Sequence, residues 1–357
     1  MYDVEFYMKS YDLLHGLQAG EPHDADAVLD ALESYRDPDP VVYNIETTNA
    51  CNMRCEMCPR TTMMTRRVET MKPEFFQQIV AQIKPFSPET WCRWEEFVAE
   101  KYGVRQGEMS ENHFFLLVIP KVIQLHGYGD PLLDRNMGRY VKLLSDAGFE
   151  SYFSCNPANI DVVRTLEMFE NGLSYIKYSI ESVDDAEHKT IRGEASNFSE
   201  SYSRILRLLE LKKQNGYKTT IVITMLDLNR PNQQGDYAKL REAFRDLDVY
   251  LYLKSEDQQW YRKDYHGTKS VHWSEICKHP WMSMTIKSNG EACMCMEDYD
   301  NEIVLGDART QTLAEIWNGE AYRKFRRDHV DVTGGIKCSE RCDMALVGKC
   351  LPPVSLR

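Results

Sequence analysis

The sequence predicts an α/β fold built from parallel βα units, and three observations predict it. Six short apolar runs recur over residues 41–254, stretches of helical periodicity stand between them, and no fixed-period repeat or low-complexity tract interrupts the alternation. Strand and helix taking turns argue for a parallel sheet rather than a sandwich or a bundle.

The first run, VVYNIETT (41–48), reads as a strand feeding a cysteine-bearing loop, and KPEFFQQIVAQIK (72–84) has helical spacing with Pro73 suited to a first turn. KVIQLHG (121–127), SYFSCN (151–156), YIKYSIE (175–181), KTTIVITML (218–226) and VYLYLK (249–254) read as strands two to six. Between them NMGRYVKLLSDAG, DVVRTLEMFENG, FSESYSRILRLLELKKQNG and DYAKLREAFRDL read as helices.

Two segments break the pattern. Residues 1–40 form an acidic, mostly helical leader that closes on the breaker run DPDP at 37–40. Residues 85–118 make a connection much longer than the usual two to six or so residues of a βα unit, which predicts a lid or a substrate-facing insertion.

The chain has 357 residues, 43% apolar and 27% charged, enough for a large core and unlike a disordered chain. A net charge of −12 excludes the basic face that nucleic-acid binding needs. The longest uncharged apolar run, residues 114–119, is far short of the roughly 20 residues of a membrane helix, and the N-terminus lacks a signal pattern. A cytoplasmic protein with no membrane partner is expected.

In that compartment eleven cysteines read as metal or cluster ligands rather than disulfides, and an odd number cannot all pair internally. Cys51, Cys55 and Cys58 sit together in NACNMRCEMCPR; Cys277, Cys293, Cys295, Cys338, Cys342 and Cys350 crowd the last quarter; Cys92 and Cys155 stand alone and read as small structural residues. Three thiolates spaced C-x3-C-x2-C on one loop can hold three corners of a cubane and leave one iron open to a small molecule. This spacing differs from paired zinc knuckles and from four-cysteine ferredoxin runs.

Directly after a strand, this trio resembles the signature of the radical S-adenosylmethionine (SAM) superfamily. Other segments match that superfamily in order. Gly127, Gly129, Asp130 and Pro131 of GYGDP resemble the Gly-rich segment that contacts the SAM amino group, with Asp130 where a Glu is usual. Asn156 matches the Asn of a Thr-Asn-Gly after the third strand, although Cys155 and Pro157 depart from it. Ser179, Glu181 and Arg192 in SIESVDDAEHKTIRG match residues that reach the ribose and hold the methionyl carboxylate, and Thr224 and Met225 fall where adenine contacts form. Without the resemblance, GYGDP is a strand-to-helix turn, Asp184 or Asp185 caps a helix, and Thr224 and Met225 are core.

The late region reads as a hairpin turning at Asn289-Gly290, followed by LGDARTQTLAEIWNG and a terminal cysteine group. It resembles the SPASM/twitch extension of radical SAM enzymes. The resemblance implies one auxiliary 4Fe-4S cluster on Cys277, Cys295, Cys338 and Cys342, with Cys350 in reserve, against a zinc site as the bland alternative. Cys293, on the same strand face as Cys295 by alternation, is a candidate hydrogen-atom donor or an ordinary thiol.

By resemblance, then, the chain divides into a leader (1–40), a partial (β/α)6 TIM-like barrel of the radical SAM type (41–255, with the insertion at 85–118) and a small α+β SPASM/twitch domain (256–357). The resemblance also implies two cofactors, SAM and its own 4Fe-4S cluster, and a low-potential electron donor such as flavodoxin or ferredoxin. SAM cleaved to a 5′-deoxyadenosyl radical would abstract a hydrogen from a small polar substrate (a sugar, aminocyclitol or nucleoside) in oxidation, epimerisation or dehydration. Modification of a peptide or protein is the alternative enzyme reading, and a non-catalytic zinc or iron–sulfur protein the reading from another class.

Overall fold

A computed structural model describes residues 1–18, 24–107, 110–228, 230–254, 276–293 and 295–331. Six parallel strands lie side by side in chain order: β1 (Val42–Ile45), β2 (Val122–Gln124), β3 (Glu150–Cys155), β4 (Tyr175–Ser179), β5 (Thr220–Leu226) and β6 (Tyr250–Lys254). Each falls within the apolar run that predicts it, β3 starting one residue early, and the helices Pro73–Val80, Met137–Asp146, Val162–Glu170, Phe198–Asn215 and Gln233–Ala243 follow as expected. The fold is α/β, with six parallel strands and their helices in the order of a partial (β/α)6 barrel.

Strand alternation sorts the side chains onto two faces. Ile123, Phe153, Ile176, Tyr178, Ile221, Ile223 and Met225 pack on the outer face with helix residues such as Phe76, Tyr140, Met168, Ile205 and Leu240. Tyr43, Val122, Tyr152, Val222, Tyr250 and Tyr252 point to the inner face and form a second core.

That inner core is completed by the two segments that break the βα pattern. The leader folds into helices Val4–Gln18 and Ala25–Tyr35, and its first turn is seated inside: the Tyr2 ring stacks on Tyr43 with centroids 4.4 Å apart, and Phe6 is fully buried against Trp281. The insertion forms helix Pro88–Tyr102 and a π-helical turn, Phe114–Val118. Trp94 Nε1 donates to the Leu116 carbonyl (2.7 Å), and the Phe114 ring meets Tyr152 at 5.4 Å and Tyr252 at 5.5 Å. Through Trp94, Val98, Tyr102 and the Phe114–Val118 turn, the insertion contributes part of the inner core, because aromatic side chains gain more from burial than from solvent exposure.

Beyond β1 the same sheet continues. β7 (Met284–Ile286) pairs with β1 in parallel, and β8 (Glu291–Cys293) and β9 (Val304–Asp307) follow antiparallel. The late region is therefore joined to the barrel through shared backbone hydrogen bonds. Its hairpin does not turn on two residues. Lys287 N donates to Glu291 O and Gly290 N to Lys287 O, and Gly290 has φ +90°, so the loop is Ser288–Asn289–Gly290: a three-residue turn with glycine in the left-handed position.

Candidate functional site

All six parallel strands end at one cavity of about 290 Å³. Its lining comes from the Cys51–Pro59 loop after β1, residues 126–130 after β2, Ser154 to Asn156 on β3, Lys177 and Ser179 on β4, Leu226 on β5 and Lys254 on β6. A barrel-type sheet places its chemistry at the carboxyl ends of its strands, where loops vary without disturbing the core.

The cysteine loop is held from several sides. Arg54 N donates to Arg192 O (2.9 Å) and Glu56 N to Ile191 O (3.0 Å), which fixes the loop to the end of helix Asp185–Arg192. Thr61 Oγ1 donates to Cys55 O (2.8 Å) and Arg60 Nε to Asn49 O (2.9 Å). Gly193, at φ +96°, lets the loop lie against the helix end: a Cβ there would sit 3.0 Å from Arg54 N.

Cys51, Cys55 and Cys58 all line the cavity. Burial pushes the Cys51 thiol up to about 11 and Cys58 up to about 12; it also raises Cys55, against the pull of the Arg192 charge. Such thiols keep their protons unless a metal takes the proton's place. Among the described residues no group of three or more His, Cys, Asp or Glu side chains stands close enough to hold a metal ion. Three thiols lining one cavity suit a cluster whose irons take one thiolate each.

Gly127, Gly129, Asp130, Asn156, Ser179 and Arg192 line the same cavity. Gly129 lies so close to the strand-end backbone that a Cβ would come within 2.2 Å of Thr48 O. The Asp130 carboxylate is engaged in shaping the rim: it accepts from Leu132 N (3.0 Å), Asn156 N (3.0 Å) and Asn159 Nδ2 (2.8 Å). Asn156 is similarly committed, accepting from Ala158 N (2.8 Å) and donating to Ser196 Oγ (3.1 Å).

Four residues of the expected set stand back from the cavity. Pro131 starts a buried 3-10 turn. Glu181 accepts from Leu226 N (2.8 Å) and is paired with Arg192, so it acts behind the lining. Thr224 is buried within β5, and Met225 points to the outer, helix-facing core; Leu226, one residue on, is the β5 side chain that reaches the cavity. The alternation that places Met225 outside is a strand-period effect that a motif match does not see.

Several lining residues carry no sequence signal of their own. His126 closes β2 beside Tyr152, and burial followed by the charge of Lys177 lowers it to about 3, so the imidazole is neutral. Its Nδ1 is buried without a hydrogen-bond partner, as is Arg192 Nε. Buried polar atoms left unpaired in a cavity are positions for a ligand's polar groups. Lys177, whose ammonium lies 5.9 Å from the Tyr152 ring, and Lys254 add two cations. Cys155 packs with the outer core and also touches the cavity between Ser154 and Asn156.

In the late region Cys277 is half-buried and Cys295 is buried, while Cys338, Cys342 and Cys350 lie outside the described residues. Met296 and Glu297, which follow Cys295, form part of the cavity wall. Cys293 is fully buried on β8, its thiol pushed up to about 12, and it is not among the lining residues.

Residues 277–343 match the SPASM iron–sulfur cluster-binding domain. Among solved structures the chain is similar to Streptococcus suis SuiB, at 12% identity and a TM-score of 0.50, covering 90% of this chain and 78% of that one. SuiB bound to the precursor peptide SuiA also gives 0.50 at 12% identity. BtrN in complex with AdoMet and 2-DOIA gives 0.44 at 14% identity, over 82% of this chain and 89% of that one. No curated protein matches the chain. Fold, cysteine loop and domain match define the class: an α/β chain similar in fold to SuiB, with a three-cysteine loop after its first strand and a C-terminal match to the SPASM iron–sulfur cluster-binding domain.

Proposed function

We propose that this protein is a radical SAM enzyme acting on a small polar substrate such as a sugar, aminocyclitol or nucleoside. One observation carries the reading: Cys51, Cys55 and Cys58 face the same cavity as Gly127, Gly129, Ser179 and Arg192. With a 4Fe-4S cluster on the three thiols, bound SAM supplies a 5′-deoxyadenosyl radical on one-electron reduction, the electron coming from a donor of the flavodoxin or ferredoxin kind.

The protein's part is binding, orientation and exclusion of water. Arg192, held by Glu181, offers a fixed cation for the cofactor carboxylate, and the Ser179 hydroxyl faces the same space. Neutral His126 offers a hydrogen-bonding ring nitrogen that no protein group uses. Cys277, Cys295 and later cysteines would hold an auxiliary cluster and so give the enzyme a second redox centre; Met296 and Glu297, next to Cys295, line the cavity.

A small substrate is favoured over a peptide because the leader helices pack into the inner core with the insertion rather than standing apart as a leader-binding domain. No described helix is long and apolar enough to cross a membrane.

Anaerobic reconstitution tests the reading. The protein should hold about eight irons and, with reductant, release 5′-deoxyadenosine from SAM. Joint replacement of Cys51, Cys55 and Cys58 by Ala should leave about four irons and no cleavage. Bound zinc without iron–sulfur absorbance would defeat it.

A further inference from the structure

Glu46, the last residue before the Thr-Thr-Asn-Ala run that leads to Cys51, does not line the cavity, yet five hydrogen bonds converge on its fully buried carboxylate. Arg66 grips it bidentately, Nη1 to Oε1 at 2.8 Å and Nη2 to Oε2 at 2.9 Å. Ser288 donates to Oε1 through its N–H (3.3 Å) and its hydroxyl (3.0 Å). Tyr128 N donates to Oε2 at 3.2 Å.

These donors belong to three different segments. Tyr128 is the middle of Gly127-Tyr128-Gly129 on the cavity rim. Arg66 ends the stretch that returns from the cysteine loop, and it also donates from Nε to Tyr299 O (2.7 Å). Ser288 is the first residue of the hairpin turn in the cluster-binding domain. Lys287, which pairs with Glu291 just before the turn, is fully buried, donates to Met296 O (3.0 Å) and directs its charge toward Glu46. Met296 is part of the cavity wall.

The rim is built around this carboxylate. At Gly127 a Cβ would lie 2.2 Å from Glu46 Oε2, so the glycine is required by the acid beneath it. Removing the charge would leave Arg66 and Lys287 as buried cations without their shared counter-ion, and they would move with the segments that carry them.

We propose that Glu46 is a positioning residue that ties the hairpin of the iron–sulfur domain to the Gly127–Gly129 rim, so that the hairpin helps set the affinity of the cavity for SAM. The proposal rests on the functional reading above. Its distinctive content is that the hairpin residues Ser288 and Lys287, which do not line the cavity, govern cofactor binding through Glu46.

The test measures SAM affinity and iron content in the reconstituted full-length protein. SAM binding is followed by the change it causes in the electron paramagnetic resonance signal of the reduced cluster, and separately by calorimetry with S-adenosylhomocysteine. Glu46→Gln should keep both clusters and weaken SAM binding about tenfold or more, the usual range for removing a supporting partner of a ligand shell. Ser288→Ala, which removes one hydrogen bond at the edge of the node, should weaken it about two- to fivefold. Lys287→Met should change affinity in the same direction.

SAM affinity within about twofold of wild type in Ser288→Ala and Lys287→Met overturns the proposal, as does a Glu46→Gln protein that loses the first cluster, since Glu46 would then merely hold the loop. The wild-type arm separates the two levels. If it holds no cluster or binds no SAM, the functional reading falls and this proposal with it; failure confined to the variants overturns this proposal alone.

Discussion

Arg192 stands between a carboxylate and a thiol: its Nη2 donates to Glu181 Oε1, and its Nη1 lies 3.7 Å from Cys55 Sγ. Burial disfavours the guanidinium charge, but Glu181 and the surrounding thiols outweigh it and raise Arg192 above its ordinary value. One side chain thus fixes the cation of the cavity beside the cysteine loop.

Arg192→Ala leaves the Glu181 carboxylate, 1% exposed, without its counter-charge. Loss of one partner of a buried pair costs about 3–5 kcal/mol, and Arg192→Lys should cost less because the charge remains. Urea unfolding of the iron-loaded protein measures both. A loss below about 1 kcal/mol for the alanine variant, the value of an exposed pair, would contradict the buried-pair account.

Gly129→Ala places a Cβ 2.2 Å from Thr48 O and 2.7 Å from Asn49 Cα, and both obstacles are backbone. The rim or the strand end leading to Cys51 must shift, at a cost of about 1–3 kcal/mol or more. Iron retained by the Cys51, Cys55 and Cys58 site should fall with it. Gly235→Ala is the control: it lies within a helix with nothing inside 4 Å, and should be neutral or stabilising by up to about 1 kcal/mol. Equal stability of the two variants would refute the close-approach explanation.

Phe6 in the leader helix is fully buried, so Phe6→Ala should destabilise the whole domain by about 3–5 kcal/mol. Val163→Ala, at a side chain 77% exposed, should change stability by less than about 0.5 kcal/mol. Thermal unfolding in one transition for the Phe6 variant, shifted to lower temperature, is the expected outcome. An unshifted main transition would mean that the leader is not part of the core.

Asp3 accepts from Phe6 N (2.9 Å) and Asp37 N (2.8 Å), and burial raises it to about 6. Because the folded chain holds this proton more tightly than the unfolded chain, stability should fall as pH rises from about 4 to about 6, by up to roughly 3 kcal/mol from this group. Asp3→Asn keeps a neutral acceptor for Phe6 N and should flatten that decline. Urea midpoints measured across the interval check it; the same slope in the variant would assign the dependence to other groups.

Much of the fold is legible in the sequence because strand and helix periods are local properties. The runs at 151–156 and 218–226 match β3 and β5 to within two residues. Asp184 caps helix Asp185–Arg192, its side chain accepting from Glu187 N at 2.8 Å, as its residue type leads one to expect. The hairpin register was less legible: Asn-Gly signals a turn, but whether it spans two residues or three depends on the pairing of Lys287 with Glu291. Glu46 and His126 gave no signal, since each stands alone in sequence and acquires its role from residues such as Ser288, 242 positions away, or from the cavity itself.

By itself the sequence determined the α/β alternation, the position of the cysteine loop after the first strand, and the glycines and acids that follow the later strands. Only the tertiary structure decided which of these residues meet. Alternation says that Thr224 and Met225 point to opposite faces but not which face is inside; packing put Met225 against the helices and left Leu226 at the cavity. It also turned the leader and the insertion at 85–118 into core, because the aromatic inner face of the sheet had to be covered and those segments carried the apolar surface to cover it.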